Sequence, residues 1–118
     1  MRTTYLTTLP DHWQPVAAVF AAMGDTTRQQ ILLLFEPGEE LSIKEIASAF
    51  DLGRSTIVHH LAALEKAKIL SARREGRQAL YSVCHHTVLD SLDKLRLFIE
   101  EDMHDAGAQP QTEKGTKP

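Results

Sequence analysis

"SIKEIASAFDLGRSTIVHHLAALEKAKIL", residues 42–70, decides the fold of this chain. Ser42 followed three positions later by Glu45 is a capping-box pattern, in which each side chain satisfies a backbone donor left unpaired by the first helical turn. It opens a short helix, "IKEIASAF". Asp51, Leu52 and Gly53 then form a tight connection, and a second helix places Ile57, Leu61 and Leu64 on one face. Two short helices joined by about three residues make a helix-turn-helix pattern.

Upstream, Val16, Val19, Phe20 and Met23 recur at helical spacing, so an amphipathic helix starts near Pro15, a residue suited to a first turn. Gly24 ends it, and "DTTRQQILLLF" begins another, with Thr26 and Gln29 at capping-box spacing. "EPGEE" is a break. Downstream of Ile69 the period changes. "ILSARREGRQALYSVC" holds two strand-like runs around Glu75-Gly76-Arg77, a hairpin turn. A last helix starts near Thr87 and carries Val88, Leu92, Leu95, Ile99 and Met103 in one stripe. The expected fold is mainly α with a small β-hairpin: a winged helix-turn-helix whose flanking N- and C-terminal helices form a dimer interface. Residues 1–14 read as an arm, 15–103 as the domain and 104–118 as a disordered tail.

The bulk properties fit. With 118 residues and 42% hydrophobic content, the chain supports one small domain that gains burial by dimerising. No apolar run approaches the roughly 18 residues that span a bilayer, and the N-terminus lacks the apolar core of a secretory signal. The single cysteine, Cys84, rules out an intrachain disulfide framework and fits a reducing cytoplasm. A net charge of −3 argues against indiscriminate coating of nucleic acid. Its distribution matters more. Arg54 to Arg77 holds six basic residues against two acids, whereas Asp90 to Asp105 holds six acids against two basic residues.

Four stretches, Met23–Leu32, Ser42–Leu70, Arg73–Val83 and the closing helix, together resemble the ArsR/SmtB family of small bacterial transcriptional repressors. The resemblance implies a cytoplasmic homodimer built on the first and last helices, with Trp13, Val16, Val19, Phe20, Val88, Leu92, Leu95 and Ile99 at the interface. It also implies binding to operator DNA, usually upstream of the protein's own operon, and in many members release by an effector. Thr26 and Asp51 stand where the family commonly has proline and glycine, and Gly53 and Val58 also depart from it. The last two lie in the DNA-reading helix and bear on which operator is read.

On that helix Ser55, His59 and Ala62 lie opposite the core face, with Thr56 beside them. This small polar surface suits close approach to base edges in a major groove, and Arg54 can reach phosphate or guanine. His59 is expected to touch DNA, the alternative being a solvated ring. His60, about 100° round the helix, reads as a partly buried structural residue that also brushes the DNA backbone. Adjacent rings diverge, and neither has a strong ligand three or four residues away, so the pair is not a metal site. Arg73, Arg74 and Arg77 form a basic wing suited to a narrow minor groove, or else a solubilising hairpin. Lys44 is either a phosphate contact or a plain surface lysine.

The cysteine pair and the last-helix ligands of the family's metal sensors are missing: His85, Thr87, Phe98 and Glu101 occupy the latter positions. Neither metal nor cofactor is expected. Cys84, His85, His86 and His104 remain as weak ligand candidates, Cys84 as a weak redox switch or simply a small buried side chain. Three functions compete: a repressor dimer on a palindromic operator, a winged-helix module that binds protein, and an enzyme. The basic wing favours the first over the second. The third lacks a phosphate loop or an activated nucleophile.

Overall fold

A computed structural model describes residues 1–107. After a 3₁₀ turn at Asp11–Trp13 come helices α1 (Gln14–Met23) and α2 (Thr26–Leu34), strand β1 (Leu41–Ser42), and helices α3 (Ile43–Ser48) and α4 (Arg54–Lys66). Strands β2 (Leu70–Glu75) and β3 (Gln78–Val83) follow, then helix α5 (His85–Asp105). The order is that of a winged helix-turn-helix between flanking helices.

Local chemistry explains the boundaries. The Ser42–Glu45 capping box at the start of α3 is complete in both directions, at 3.1 and 2.9 Å. At α2 the cap is not the Thr26–Gln29 pair. Asp25, in an extended conformation, accepts from the Arg28 amide, and Gln29 turns back to the Met23 carbonyl. An aspartate one residue earlier is the better cap because it can stay outside the helix while reaching its first donors. The hairpin loop is Gly76-Arg77 between the paired residues Glu75 and Gln78, and Gly76 has the positive φ of 63° that this turn demands.

The wing has a third strand that the sequence did not announce. Leu41 pairs with Tyr81 and Ser42 with Leu80, giving the order β1-β3-β2. The sheet thereby leads directly into α3 and ties the wing to the helix-turn-helix. Helix α5 begins at His85 rather than Thr87 and runs two residues past Met103, so His104 is helical. The expected disordered tail otherwise falls mainly on 108–118, outside the described residues.

The core gathers Ile31, Ile46, Ile57, Leu61, Leu64, Ile69 and Leu70, with Tyr81 from the sheet. Ile57, Leu61 and Leu64 are fully buried, as their spacing predicts. Val16 and Val19, expected at the dimer interface, are buried within the single chain. At 1% and 2% exposure they already pack against residues of their own chain. The apolar face of α1 closes over its own core. The stripe on α5 does not: Leu92 and Ile99 stay 47% and 46% exposed, and Leu89 and Leu97 are exposed as well. No helix among the described residues is long and apolar enough to cross a membrane.

Candidate DNA-binding surface

Helix α4 presents Arg54, Ser55, Thr56, His59 and Ala62 to solvent while its opposite face is sealed in the core. Gly53 precedes it and supplies no side-chain cap. Among the described residues the first amides of α4 therefore have no side-chain cap, and they lie at the positive end of the helix dipole, where an anion binds favourably. Arg54 adds a full positive charge at the same end and is in no ion pair among the described residues.

His59 and His60 separate as the helical geometry requires, with ring centroids 6.1 Å apart and planes 59° apart. His59 is exposed. His60 is half-buried, and its Nδ1 accepts from Arg28 Nη1 at 3.3 Å. The same guanidinium donates to the Ala22 carbonyl at 2.7 Å and to the Ala21 carbonyl at 3.4 Å. Arg28 thus joins the C-terminal end of α1 to the recognition helix, and His60 belongs to that joint.

On the wing the strand register separates the arginines. Arg74 pairs with Ala79 and Ala72 with Tyr81, so alternation puts Arg74 on the sheet face of the buried Tyr81. Arg73 lies on the other face, where Nε and Nη2 each donate to a separate carboxylate oxygen of Glu40 at 2.8 Å. Glu75 is 3.8 Å from the same guanidinium. The hydrogen bonds from Arg73 hold the Glu40 carboxyl below its ordinary range, and Glu40 in turn raises Arg73. Arg74 donates to the Arg77 carbonyl at 3.3 Å, and Arg77 at the tip is exposed and in no ion pair among the described residues. Lys44 is exposed on α3.

The other expected site residues are dispersed. Cys84 is half-buried just before α5, with its amide bonded to the Ile69 carbonyl at 2.8 Å, and His85 and His86 are exposed beside it. No cluster of three or more His, Cys, Asp or Glu side chains able to hold a metal ion occurs among the described residues. Trp13 packs on Phe98 of its own chain with centroids 5.3 Å apart. Phe20, Val88 and Leu95 are half-buried. Glu40 and Arg28 are the participants that sequence reasoning missed. Asp25 at cap spacing before Arg28 was the available signal for the α2 start; nothing local marks Glu40.

Comparison with known proteins agrees with this geometry. The family described as "Bacterial regulatory protein, arsR family" matches residues 25–72. The transcriptional repressor SdpR of Bacillus subtilis is 33% identical over 87 residues, covering 74% of this chain and 96% of SdpR. Among solved structures, an ArsR-like transcriptional regulator from a Rhodococcus species superposes with a TM-score of 0.71 at 26% identity, over 83% of this chain and 92% of that one. A homodimeric winged helix-turn-helix DNA-binding domain from Mycobacterium bovis gives 0.60 at 26% identity, over 83% and 94%. Motif, fold and a relative matched over nearly its full length agree: the chain belongs to the ArsR family, a winged helix-turn-helix transcriptional regulator rather than an enzyme.

Proposed function

We propose that the protein is a cytoplasmic homodimeric repressor that binds a palindromic operator, including one upstream of its own operon. The observation that carries this reading is the outer face of α4, with an uncapped N-terminus, Arg54 and small polar side chains, set beside a wing whose tip carries Arg77, in no ion pair among the described residues. Ser55, Thr56 and His59 read base edges, while Arg54, Lys44 and the amides at the start of α4 hold phosphate. Arg74 and Arg77 follow the adjacent minor groove. His60 contributes through its bond to Arg28, and Arg73 stands in reserve behind Glu40.

Dimerisation uses the exposed stripe of α5, Leu92 and Ile99 flanked by Val88 and Leu95, with Trp13 and Phe20 alongside. The neighbour from Mycobacterium bovis is a homodimer, which supports a two-fold assembly. A two-fold dimer requires two half-sites about one helical turn apart. Fluorescence anisotropy on DNA from upstream of the gene tests the reading. Tight binding that weakens steeply with salt, and weakens again in His59→Ala and Arg77→Ala, is the expected result. Affinity no better than for random DNA sinks it.

A further inference from the structure

Behind the recognition helix a cavity of about 540 Å³ opens between the start of α1, the C-terminal end of α4 and the first half of α5. That volume lies within the range of small-molecule sites. Ala18 and Ala67 give it an apolar flank, and Lys66, Lys68 and Lys94 bring positive charge to it against Asp11 and Asp90. None of the three lysines is in an ion pair among the described residues.

Two further features point to an occupant. Ser91 lines the cavity at 5% exposure, and its hydroxyl makes no hydrogen bond to another described residue. Buried hydroxyls are rarely left so. Lys68 is the one non-glycine residue with positive φ among the described residues, at 64°. It ends α4 in a Schellman motif, with the Ile69 amide bonded to the Leu64 carbonyl and the Lys68 amide to the Glu65 carbonyl, both at 2.9 Å. Glycine is the usual occupant of that position. A Cβ-bearing residue in the left-handed region costs backbone energy, and here the side chain it carries lines the cavity. The Thr87 hydroxyl donates to the Lys68 carbonyl at 2.7 Å, so the end of α4 is tied to α5 at the cavity wall.

We propose that this cavity binds a small organic anion, a carboxylate or phosphate head on an apolar body. The head sits among the lysines and the Ser91 hydroxyl, and the body lies against Ala18 and Ala67. Because the wall is made by both α4 and α5, occupancy shifts the recognition helix relative to the dimer helix and changes operator affinity; this second step rests on the repressor reading. The cavity and the dimer stripe do not compete, since Ser91 is buried in its own chain while Leu92 and Ile99 face outward.

The test is a nitrogen-15 NMR titration of the full chain, without DNA, using benzoate, phenyl phosphate and, as a neutral analogue, benzyl alcohol. One or both anions should shift the amides of Lys68, Thr87 and Ser91 saturably while benzyl alcohol does not, and their ranking identifies the head group. Lys68→Gln and Lys94→Gln should each weaken binding about tenfold, and Ser91→Ala severalfold, with thermal melts confirming that each variant is folded. No saturable shift with either anion, or unchanged affinity in both lysine variants, overturns the site. Operator anisotropy with and without the saturating anion then tests the coupling. Equal affinity in the two arms removes the regulatory step, whereas loss of operator binding in the anion-free arm counts against the repressor reading and leaves the site standing.

Discussion

Arg73 and Glu40 hold each other through two parallel hydrogen bonds of 2.8 Å, and this pair divides the wing into an engaged arginine and available ones. Arg73→Ala should therefore change operator affinity less than twofold, because its guanidinium is already satisfied by a carboxylate. Glu40→Gln should release it. The variant is expected to bind DNA more tightly, with a salt slope steeper by about 0.9, the contribution of one further neutralised phosphate. Anisotropy at several salt concentrations reads this directly, and an unaltered slope would place Arg73 out of reach of DNA even when free.

Glu40 and Asp25 both have carboxyls held below their ordinary values of 4.5 and 3.8, Glu40 by the hydrogen bonds from Arg73 and Asp25 by the Arg28 amide. A carboxylate whose pKa is lower folded than unfolded adds stability above the unfolded value, and that stability is lost as pH falls through the folded one. The loss should therefore lie in the acid range below these ordinary values, with no contribution to any change near neutrality. Thermal melts across the acid range should show a shallower fall for Asp25→Asn and Glu40→Gln than for the parent. Parallel curves would contradict the assignment.

Arg28 joins α1 to α4 through three acceptors: the Ala22 and Ala21 carbonyls and His60 Nδ1. Arg28→Ala is expected to destabilise the fold by about 1–3 kcal/mol in chemical denaturation, the usual penalty for leaving partly buried acceptors unpaired. Arg28→Lys should recover little. A single ammonium cannot reproduce the forked geometry that reaches two helices at once. His60→Ala should cost less than Arg28→Ala, since the carbonyl contacts survive it.

What the sequence made legible is local. The period of Ile57, Leu61 and Leu64 and the Ser42–Glu45 box both act within a few residues, and both appear in the structure as read. The Thr26 cap failed because two adjacent residues could each cap and only backbone geometry chooses between them. Strand β1 has two residues, too few for any pattern, and exists because Tyr81 and Leu80 offer it an edge. Glu40 lies 33 residues from Arg73, so no spacing rule connects them. Val16 and Val19 show a different limit: an apolar stripe says that a face is buried, not which chain buries it.

The stripe on α5 gives the complementary case. Leu92 and Ile99 are half-exposed in the single chain, a costly arrangement for two large aliphatic side chains on one helix face. Leu92→Asp and Ile99→Asp should each shift the protein from dimer to monomer in sedimentation, and abolish tight operator binding with it. Val16→Ala, by contrast, should lower the melting temperature without changing the dimer constant, because Val16 packs within one chain. A dimer that survives both aspartate variants would move the interface off this stripe.

Lys68 separates stability from function at one residue. Its φ of 64° is costly for any side chain with a Cβ and free of that cost for glycine. Part of the gain from relieving it is offset by the larger unfolded-state entropy of glycine. Lys68→Gly should therefore stabilise the fold by about 0.5–1 kcal/mol, the relief from left-handed strain less that entropy. The same change removes a positive charge from the cavity wall, so it should weaken anion binding about tenfold, as Lys68→Gln does. A variant more stable than the parent yet weaker in binding benzoate and phenyl phosphate would show that the strained conformation is kept for its side chain. If Lys68→Gly is instead less stable, the lysine side chain is a packing element and its left-handed backbone carries no argument for the site.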